Sequence, residues 1–524
     1  MSIRTVAKSL VGVAAVAATI LTASPVSAGP RPPDSGVVRI DSGWLRGQVT
    51  ADHVTYSAIP YAAPPAGERR WRPPARPRSW SGVRDATTPS PACPQREDEV
   101  IVGQEDCLYL DVTVPGDARP WKRLPVLVWL HGGGFNTGAA HEFDGARLAT
   151  TGDLVVVTPN YRLGALGFLS APGLGATGGN YGLMDQTAAL RWVRRNAARF
   201  GGDPHNVTLA GQSAGARAVC AQLASPASRG LFHRAITHSG ACDNRVPTLA
   251  EAREFGAQAT TQLGCASAAD VAACLRERPV AEVVPALAGV GFTLNGRVAD
   301  RPWNPVAGTP VLPRQPAEAL RNGSAARVPL LIGGTHDEMR SFVSAVTSLT
   351  VDQYRAMMVQ TFADHADTVL AEYPAADFDT PALALATVLS DWGGGIGACP
   401  VLRTVEAAAA HQPVYAYEFA EDSGQFRDDY PMGSYHGLEL PYLWDLHLAQ
   451  NPYPELNAEQ ERLSATMLDY WAAFAHTGDP NGPGRPQWAE FGSTGTVIGL
   501  STSGIAPTPF AADHRCDSWE DLPR

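Results

Sequence analysis

The chain has 524 residues, enough for about three domains at ~150 residues each, and 44% of them are apolar against 18% charged. This composition excludes a disordered or low-complexity protein and indicates a globular one. The formal net charge of -11 excludes a general attraction to phosphate backbones or anionic lipids, so neither nucleic acid nor a membrane surface is an expected partner.

The first 28 residues have the pattern of a secretory signal peptide. Arg4 and Lys8 give a positive start, residues 10–21 are an apolar run too short to span a bilayer, and Val-Ser-Ala at 26–28 suits signal peptidase. We expect cleavage after Ala28 and a secreted mature chain without a membrane anchor. The alternative is an uncleaved N-terminal anchor.

Export also suggests how the cysteines are used. Outside the cytosol an even number of cysteines favours disulfides. Their spacings lack the paired C-x-x-C pattern of a zinc site, so metal ligation is not expected. The eight residues are Cys93, Cys107, Cys220, Cys242, Cys265, Cys274, Cys399 and Cys516.

Strands and helices are predicted to alternate along the chain. Short β-type runs come first, at 37–41, 44–49 and 108–114. Continuous apolar runs, typical of strands buried on both faces of a sheet, follow at 125–130, 154–158, 207–210, 234–238, 328–332 and 414–419. Residues 186–200 are predicted to be a helix, because Leu190, Val193, Ala197 and Phe200 recur on one face.

This alternation predicts an α/β fold with a central, mostly parallel sheet flanked by helices. Regions 251–327 and 344–391 are expected to be large helical insertions. No linker or repeat marks a second unit, so residues 29–524 are predicted to form a single domain despite their length.

Gly211-Gln212-Ser213-Ala214-Gly215 is the sharpest local motif, a G-x-S-x-G between a predicted strand and a predicted helix. A tight turn there lifts the serine hydroxyl above the sheet edge, and the helix start offers backbone N–H groups to developing negative charge. His131-Gly132-Gly133-Gly134-Phe135 follows another buried strand and suits the exposed-amide loop of an oxyanion hole, although it could also be a flexible turn.

A serine nucleophile needs a base that is oriented by an acid. The strand at 328–332 leads into His336-Asp337-Glu338, and His436 lies in a later loop between glycines, which gives the order serine, acid, histidine of α/β hydrolases. From the residues alone, either Asp337 or Glu338 could be the acid. Other histidines also remain possible as the base, namely His365, His411, His447, His476 and His514.

Several segments, taken in order, make the chain resemble the type B carboxylesterase (carboxylesterase/cholinesterase) family of α/β hydrolases. The matching segments cover nearly all of the expected mature chain and are 105–112, 131–135, 160–164, 179–186, 200–215, 336–338 and 435–437. The resemblance implies an α/β-hydrolase fold and ester hydrolysis without a metal or cofactor.

The resemblance also implies roles for particular residues. The triad would be Ser213, Glu338 and His436, and the oxyanion hole would be the backbone N–H groups of Gly133, Gly134 and Ala214. The family's bridges imply the pairs Cys93–Cys107, Cys265–Cys274 and Cys399–Cys516, which leaves Cys220 with Cys242. The family's buried ion pairs would be Arg162–Asp185 and Arg70–Glu105.

Two departures from the family pattern bear on the substrate. Gln212 stands where the family usually has Glu, so a negative charge beside the serine is missing. The loop from Cys93 to Cys107 contains no Trp, whereas cholinesterases hold a quaternary ammonium on a Trp of this loop by cation–π attraction. A cholinesterase is therefore disfavoured.

The sequence thus predicts a secreted serine carboxylesterase for small or medium uncharged esters. A lipase acting on longer-chain esters is the alternative within enzymes. A catalytically inactive adhesion protein of the same family is the alternative outside them, and it would require a broken triad. We expect Phe342 to line the substrate pocket, with Trp303 and Phe292 as further candidates.

Overall fold

The computed structural model describes residues 36–289, 298–393, 395–448 and 453–520. The predicted signal peptide, residues 1–28, lies outside the described residues. Among the described residues, no helix is both long enough and apolar enough to cross a membrane.

The strands are β1 (Val37–Ile40), β2 (Gly43–Val49), β3 (His53–Pro60), β4 (Val83–Ala86), β5 (Gln95–Glu97), β6 (Val100–Val102), β7 (Tyr109–Pro115), β8 (Leu124–Leu130), β9 (Phe143–Asp144), β10 (Val155–Pro159), β11 (Gly202–Gln212), β12 (Arg234–His238), β13 (Leu330–Thr335), β14 (Val414–Phe419), β15 (Phe426–Arg427), β16 (Tyr430–Pro431), β17 (Asp445–Leu446), β18 (Val497–Ser501) and β19 (Gly504–Thr508).

The α-helices are α1 (Ala146–Gly152), α2 (Gly164–Phe168), α3 (Tyr181–Asn196), α4 (Ala214–Ala224), α5 (Leu249–Gln262), α6 (Val271–Glu277), α7 (Val280–Val283), α8 (Pro316–Arg321), α9 (Arg340–Val343), α10 (Val351–Phe362), α11 (Ala366–Glu372), α12 (Pro381–Trp392), α13 (Ala398–Ala409), α14 (Ala458–Thr477), α15 (Phe491–Thr494) and α16 (Phe510–Asp513).

One mixed sheet organises the described part of the chain. Its strand order is β1-β2-β3-β7-β10-β8-β11-β12-β13-β14-β18-β19, with β4 beside β2. Neighbours from β10 through β18 in this order pair in parallel. The pairs toward both ends of the order are antiparallel, apart from β2 with β4. The predicted mostly parallel centre is therefore confirmed.

Strand β8 shows why the continuous apolar runs predicted central strands. All of its residues are buried, and they alternate between two cores. Val126 and Val128 pack into a core that also contains residues of α3, α4 and α13, whereas Leu127 and Trp129 pack into one with residues of α1 and α14. Helices therefore cover both faces of the sheet, so neither face favours polar residues.

The flanks of the sheet differ from the sequence-based prediction. Strand β3 (His53–Pro60) was not predicted, because its burial alternates and it lacks a continuous apolar run. The edge strands β18 and β19 were also missed, since β19 is largely exposed. Helix α3 begins at Tyr181, earlier than the predicted 186. Helices α5 to α8 and α10 to α12 occupy the predicted insertions.

Four disulfides join Cys93 to Cys107, Cys220 to Cys242, Cys265 to Cys274 and Cys399 to Cys516. Three of these are the pairs that the family resemblance implies, and Cys220–Cys242 is the pair that remained after them. The last one fastens the C-terminal segment to α13, beside a buried charge network.

His514 is the centre of that network. It is 2% exposed, and its ring donates to Asp391 Oδ1 in α12 and to Glu418 Oε1 in β14, each at 2.6 Å. Burial lowers the pKa of His514, but the hydrogen bonds and charges of the two carboxylates outweigh it and raise the pKa to about 10. A buried imidazolium therefore links the helical insertion, the sheet and the C-terminal segment.

We expect His514→Asn to lower the free energy of unfolding by ~3–5 kcal/mol, because two buried carboxylates lose the cation between them. Guanidinium unfolding measures this. A raised pKa stabilises the fold below the ordinary value of 6.5 and loses that effect as the pH rises through about 10, so the difference from wild type should shrink over this range.

The exposed His205 provides the control. His205→Asn should leave the unfolding free energy unchanged, and an equal loss in both variants would contradict the role of His514.

Candidate active site

Ser213 lies at the turn between the carboxyl end of β11 and the start of α4. Its backbone has φ 55° and ψ -119°, a conformation that non-glycine residues rarely adopt and that costs about 1–3 kcal/mol. The Ser213 N–H donates to the carbonyl of His238 at the end of β12 at 2.9 Å. The sheet thus holds the strained turn in place from the side.

The two glycines of G-x-S-x-G are required by close backbone contact. A Cβ at Gly215 would overlap the carbonyl oxygen of Leu130, which ends β8. A Cβ at Gly211 would lie 2.6 Å from the carbonyl carbon of Gly215 and 2.8 Å from the same Leu130 oxygen. The turn therefore packs against β8 with no room for a side chain at either position.

The loop that follows β8 runs alongside this turn. Gly133 and Gly134 have φ values of 91° and 62°, which suit glycine, and the Gly133 carbonyl accepts from the N–H groups of Asn136 and Thr137 at 2.9 and 3.0 Å. Among the described residues, nothing accepts a hydrogen bond from the N–H groups of Gly133, Gly134 or Ala214. Three backbone donors beside Ser213 are thus left available.

Glu338 and His436 form a buried pair. Glu338 follows β13 and is 1% exposed; its Oε1 accepts from the Thr335 N–H at 2.8 Å, and its Oε2 lies 2.5 Å from His436 Nδ1. Asp337 instead accepts from the Ser434 N–H at 3.0 Å and pairs with Arg340 at 2.9 Å. Of the two carboxylates that the sequence left open, the structure joins Glu338 to the histidine.

The pKa of His436 is raised above its ordinary value of 6.5. Burial lowers it, but the charge and hydrogen bond of Glu338, and the charge of Glu439, outweigh that effect. His436 Nε2 lies 3.2 Å from the Gln212 side-chain nitrogen. Because an amide nitrogen only donates, Nε2 is the acceptor and the ring proton lies on Nδ1, facing Glu338.

Gln212, the residue before Ser213, is the one that contacts His436. Within the described part of the chain, Ser213 Oγ forms no hydrogen bond, and the amide of Gln212 occupies the ring nitrogen that a serine hydroxyl would need. The other histidines that the sequence left open contact different groups: for example, His411 and His476 bond to backbone carbonyls, and His514 bonds to its carboxylates.

Comparison with known proteins identifies the family of the chain. The model of the carboxylesterase family matches residues 34–519. The chain belongs to the carboxylesterase family. Carboxylesterases are carboxylic ester hydrolases, and the chain is accordingly an enzyme of this class.

Relatives of known activity support the assignment. The fumonisin B1 esterase of Sphingopyxis macrogoltabida is 36% identical over 513 residues, 93% of this chain and 91% of that protein. The para-nitrobenzyl esterase of Bacillus subtilis (strain 168) is 34% identical, over 85% of this chain and 90% of that protein. A solved PNB esterase structure has a TM-score of 0.78 and 30% identity, with 92% of this chain and 99% of that chain covered. The predicted α/β-hydrolase fold is confirmed.

One cavity of this carboxylesterase adjoins the serine turn, and a second shares a lining residue with it. A cleft of about 430 Å³ is lined by Gly133, Gln212 and Thr137 among others, and a second cavity of about 160 Å³ is lined by Thr137 and Trp303 among others. Thr137 lines both cavities. Trp303, proposed from the sequence as a pocket residue, therefore lines the smaller cavity.

Phe342 lies at the rim of the site. Its ring centroid is 5.4 Å from that of His436, and 45% of the residue is exposed. This is compatible with the predicted contact to substrate. Phe292, the other aromatic candidate, lies outside the described residues.

Sequence reasoning missed other residues of the site. Leu440 and Tyr453 line the larger cleft, and Glu439 affects the pKa of His436. Two of them could have been found from the sequence, because Glu439 and Leu440 directly follow the loop that contains His436. Tyr453 is brought in by tertiary folding alone.

One group in the described part of the chain has donors suited to a metal ion, namely His336, Glu418 and His514. Glu418 Oε1 already accepts from His336 at 2.8 Å and from His514 at 2.6 Å. Both ring nitrogens of His514 point at carboxylates. The group is therefore better described as a hydrogen-bonded charge network than as a metal centre.

We expect Gly215→Ala to disrupt the serine turn, because the new methyl group would overlap the Leu130 carbonyl. Such overpacking costs ~1–3 kcal/mol of unfolding free energy. The rate of p-nitrophenyl acetate hydrolysis should fall even under conditions where the variant stays folded. The reason is that the overlap can be removed only by moving Ser213 or the loop after β8.

Gly492→Ala is the matched control, because the nearest atoms to its Cβ would be 3.6 Å away. It should keep wild-type stability and activity. A Gly215→Ala enzyme with both properties intact would show that the close contact does not constrain the turn.

Proposed function

We propose that this protein is a secreted carboxylesterase that works through a triad of Ser213, His436 and Glu338. The observation that carries the proposal is the 2.5 Å hydrogen bond between Glu338 Oε2 and His436 Nδ1, next to the strained turn at Ser213. A buried carboxylate that orients a histidine beside an exposed-turn serine is the arrangement that makes serine nucleophilic.

The reaction begins when substrate enters the cleft and the Gln212 amide leaves His436 Nε2. Ser213 Oγ then donates to the freed nitrogen and attacks the ester carbonyl carbon while His436 takes the hydroxyl proton. Glu338 keeps the ring in the required orientation and stabilises the imidazolium once it forms.

Gly133, Gly134 and Ala214 provide the oxyanion hole. Their N–H groups receive the negative charge that develops on the carbonyl oxygen, and one such donor is worth about 2.7–4 kcal/mol in comparable sites. His436 then protonates the departing alcohol. Water repeats the attack on the acyl-enzyme, and the carboxylic acid leaves as Ser213 regains its proton.

The same proposal covers the processing and location of the chain. Residues 1–28 would be removed as a signal peptide, and residues 29–524 would form one exported domain. The family match begins at residue 34, after the expected cleavage position. Four disulfides support an oxidising compartment, where such bonds persist.

The decisive test of the nucleophile is Ser213→Ala, assayed with p-nitrophenyl acetate. We expect kcat to fall on the order of 10⁴- to 10⁶-fold, because no other group can form the acyl-enzyme. Mass spectrometry after treatment with an organophosphate should find the label on the peptide containing Ser213.

The exposed Ser493 gives a control, and Ser493→Ala should keep full activity. Equal activity in wild type and Ser213→Ala, or a label on a different serine, would reject the assignment.

The pH profile tests the base. His436 must be neutral to accept a proton, so kcat/KM should fall on the acid side with a midpoint above 6.5, in line with its raised pKa. Gln212→Glu places a negative charge near His436 Nε2 and should move this limb to higher pH by about 1–3 units. Glu338→Gln removes a charge and should move it to lower pH.

Gln353→Glu, at an exposed helix start, is the control for a new charge elsewhere and should not move the limb. If the midpoint of the acid limb is the same in wild type, Gln212→Glu and Glu338→Gln, then His436 is not the group that titrates.

A further inference from the structure

Three consecutive glycine carbonyls in the loop after β8 each accept a hydrogen bond from a different side chain. The bonds run from His131 Nδ1 to Gly132, from Thr137 Oγ1 to Gly133 and from Asn136 Nδ2 to Gly134, at 3.0, 3.2 and 2.8 Å. In a planar trans peptide unit, the carbonyl and the N–H of the next residue point in opposite directions. A side chain that holds one of these carbonyls therefore also directs the N–H group that follows it.

The loop packs against the residue that we propose as the nucleophile. A Cβ added to Gly132 would lie 3.3 Å from Ser213 Cβ. The N–H groups of Gly133 and Gly134 belong to the peptide units whose carbonyls His131 and Thr137 hold. The orientation of these two units determines whether the N–H groups face the carbonyl of a bound ester.

His131 is the most constrained of the three donors. It is 1% exposed, and its ring stacks on that of Tyr161 with the centroids 4.4 Å apart. The Tyr161 hydroxyl also donates to the backbone carbonyl of His131 at 2.7 Å. Among the described residues, no other group donates to the Gly132 carbonyl. The fixed ring is therefore the group that keeps the peptide unit between Gly132 and Gly133 in one orientation.

The protonation state of His131 suits this role. A carbonyl oxygen can only accept, so the ring proton lies on Nδ1. Burial lowers the pKa of His131 to about 4, so the ring is neutral at neutral pH and Nε2 carries no proton. In the described part of the chain, Nε2 is buried without a hydrogen-bond partner, which costs free energy. The bond from Nδ1 is thus the polar interaction that this side chain supplies.

We propose that His131, supported by Asn136 and Thr137, is a positioning residue that preorganises the oxyanion hole. It holds the Gly132 carbonyl on one side of the loop and thereby directs the Gly133 N–H to the other. This inference rests on the proposed function. Preorganised donors stabilise developing charge without having to reorient during the reaction. Loss of the Nδ1 donor should therefore slow the chemical step and leave substrate binding nearly unchanged.

His131→Leu and His131→Asn form a matched pair. Leucine and asparagine have the same branched shape, and only asparagine keeps an N–H donor near the position of Nδ1. With p-nitrophenyl acetate, we expect kcat to fall about 10- to 100-fold in His131→Leu, with KM within about threefold of wild type. His131→Asn should recover most of the lost kcat.

A transition-state analogue gives a second measurement. A trifluoromethyl ketone adds reversibly to the serine hydroxyl, and its carbonyl oxygen becomes an anion in the oxyanion hole. Its inhibition constant for His131→Leu should rise by about the same factor as kcat/KM falls, since both report stabilisation of the oxyanion. A role of His131 in the fold alone would not produce this parallel change.

Thr137→Val tests the next peptide unit, because valine keeps the shape of threonine and removes its hydroxyl. We expect kcat to fall about three- to tenfold, the effect of one ordinary hydrogen bond, and Thr137→Ser to restore it. Thr137 also lines the larger cleft, and a change confined to KM would mean that it contacts substrate instead. As a control, His411→Leu removes an imidazole that bonds to the Arg321 carbonyl and should keep wild-type kcat.

The outcomes separate this role from the triad and from the fold. Equal kcat in folded His131→Leu and His131→Asn overturns the positioning role, as does unchanged ketone inhibition in His131→Leu. Guanidinium unfolding checks that the variants are folded, and if His131→Leu is not, Thr137→Val and Thr137→Ser decide. Full activity in Ser213→Ala rejects the proposed function. An inactive Ser213→Ala enzyme together with a fully active His131→Leu enzyme rejects only the positioning role.

Discussion

The contact between the Leu130 carbonyl and the backbone around Gly215 is the constraint on which the active site depends. It brings the end of β8 against the start of α4 so closely that neither Gly211 nor Gly215 can carry a side chain. Ser213 is thereby held at φ 55° with its side chain lifted from the sheet. The same contact brings the loop after β8, with its available N–H groups, alongside the serine.

The parallel centre of the sheet brings the other groups of the proposed catalytic site to the same edge. Because parallel strands end at the same edge, the residues that follow β8, β11 and β13 meet there. Gly133, Ser213 and Glu338 each follow one of these strands. His436 arrives from the loop beyond β14 and is fixed by Glu338, so the antiparallel flanks contribute to the sheet but little to the site.

Charge is distributed unevenly around this edge. Glu338 and Glu439 raise the pKa of His436, while Arg217 acts in the opposite direction. Gln212 is neutral where the family usually has Glu, so the site carries one negative charge fewer than is usual in the family. The missing negative charge at position 212 agrees with the absence of a Trp in the Cys93–Cys107 loop, because neither feature favours a cationic substrate.

The sequence by itself determined the central strands, the G-x-S-x-G turn, the triad candidates and, through family resemblance, the disulfide pairs. These features depend on local patterns such as apolar runs and glycine spacing, which are visible along the chain. Only the tertiary structure decided that Glu338, and not Asp337, contacts His436, and that Gln212 contacts His436 Nε2. Each of these depends on which distant side chain lies within a few ångströms, and no local pattern specifies that.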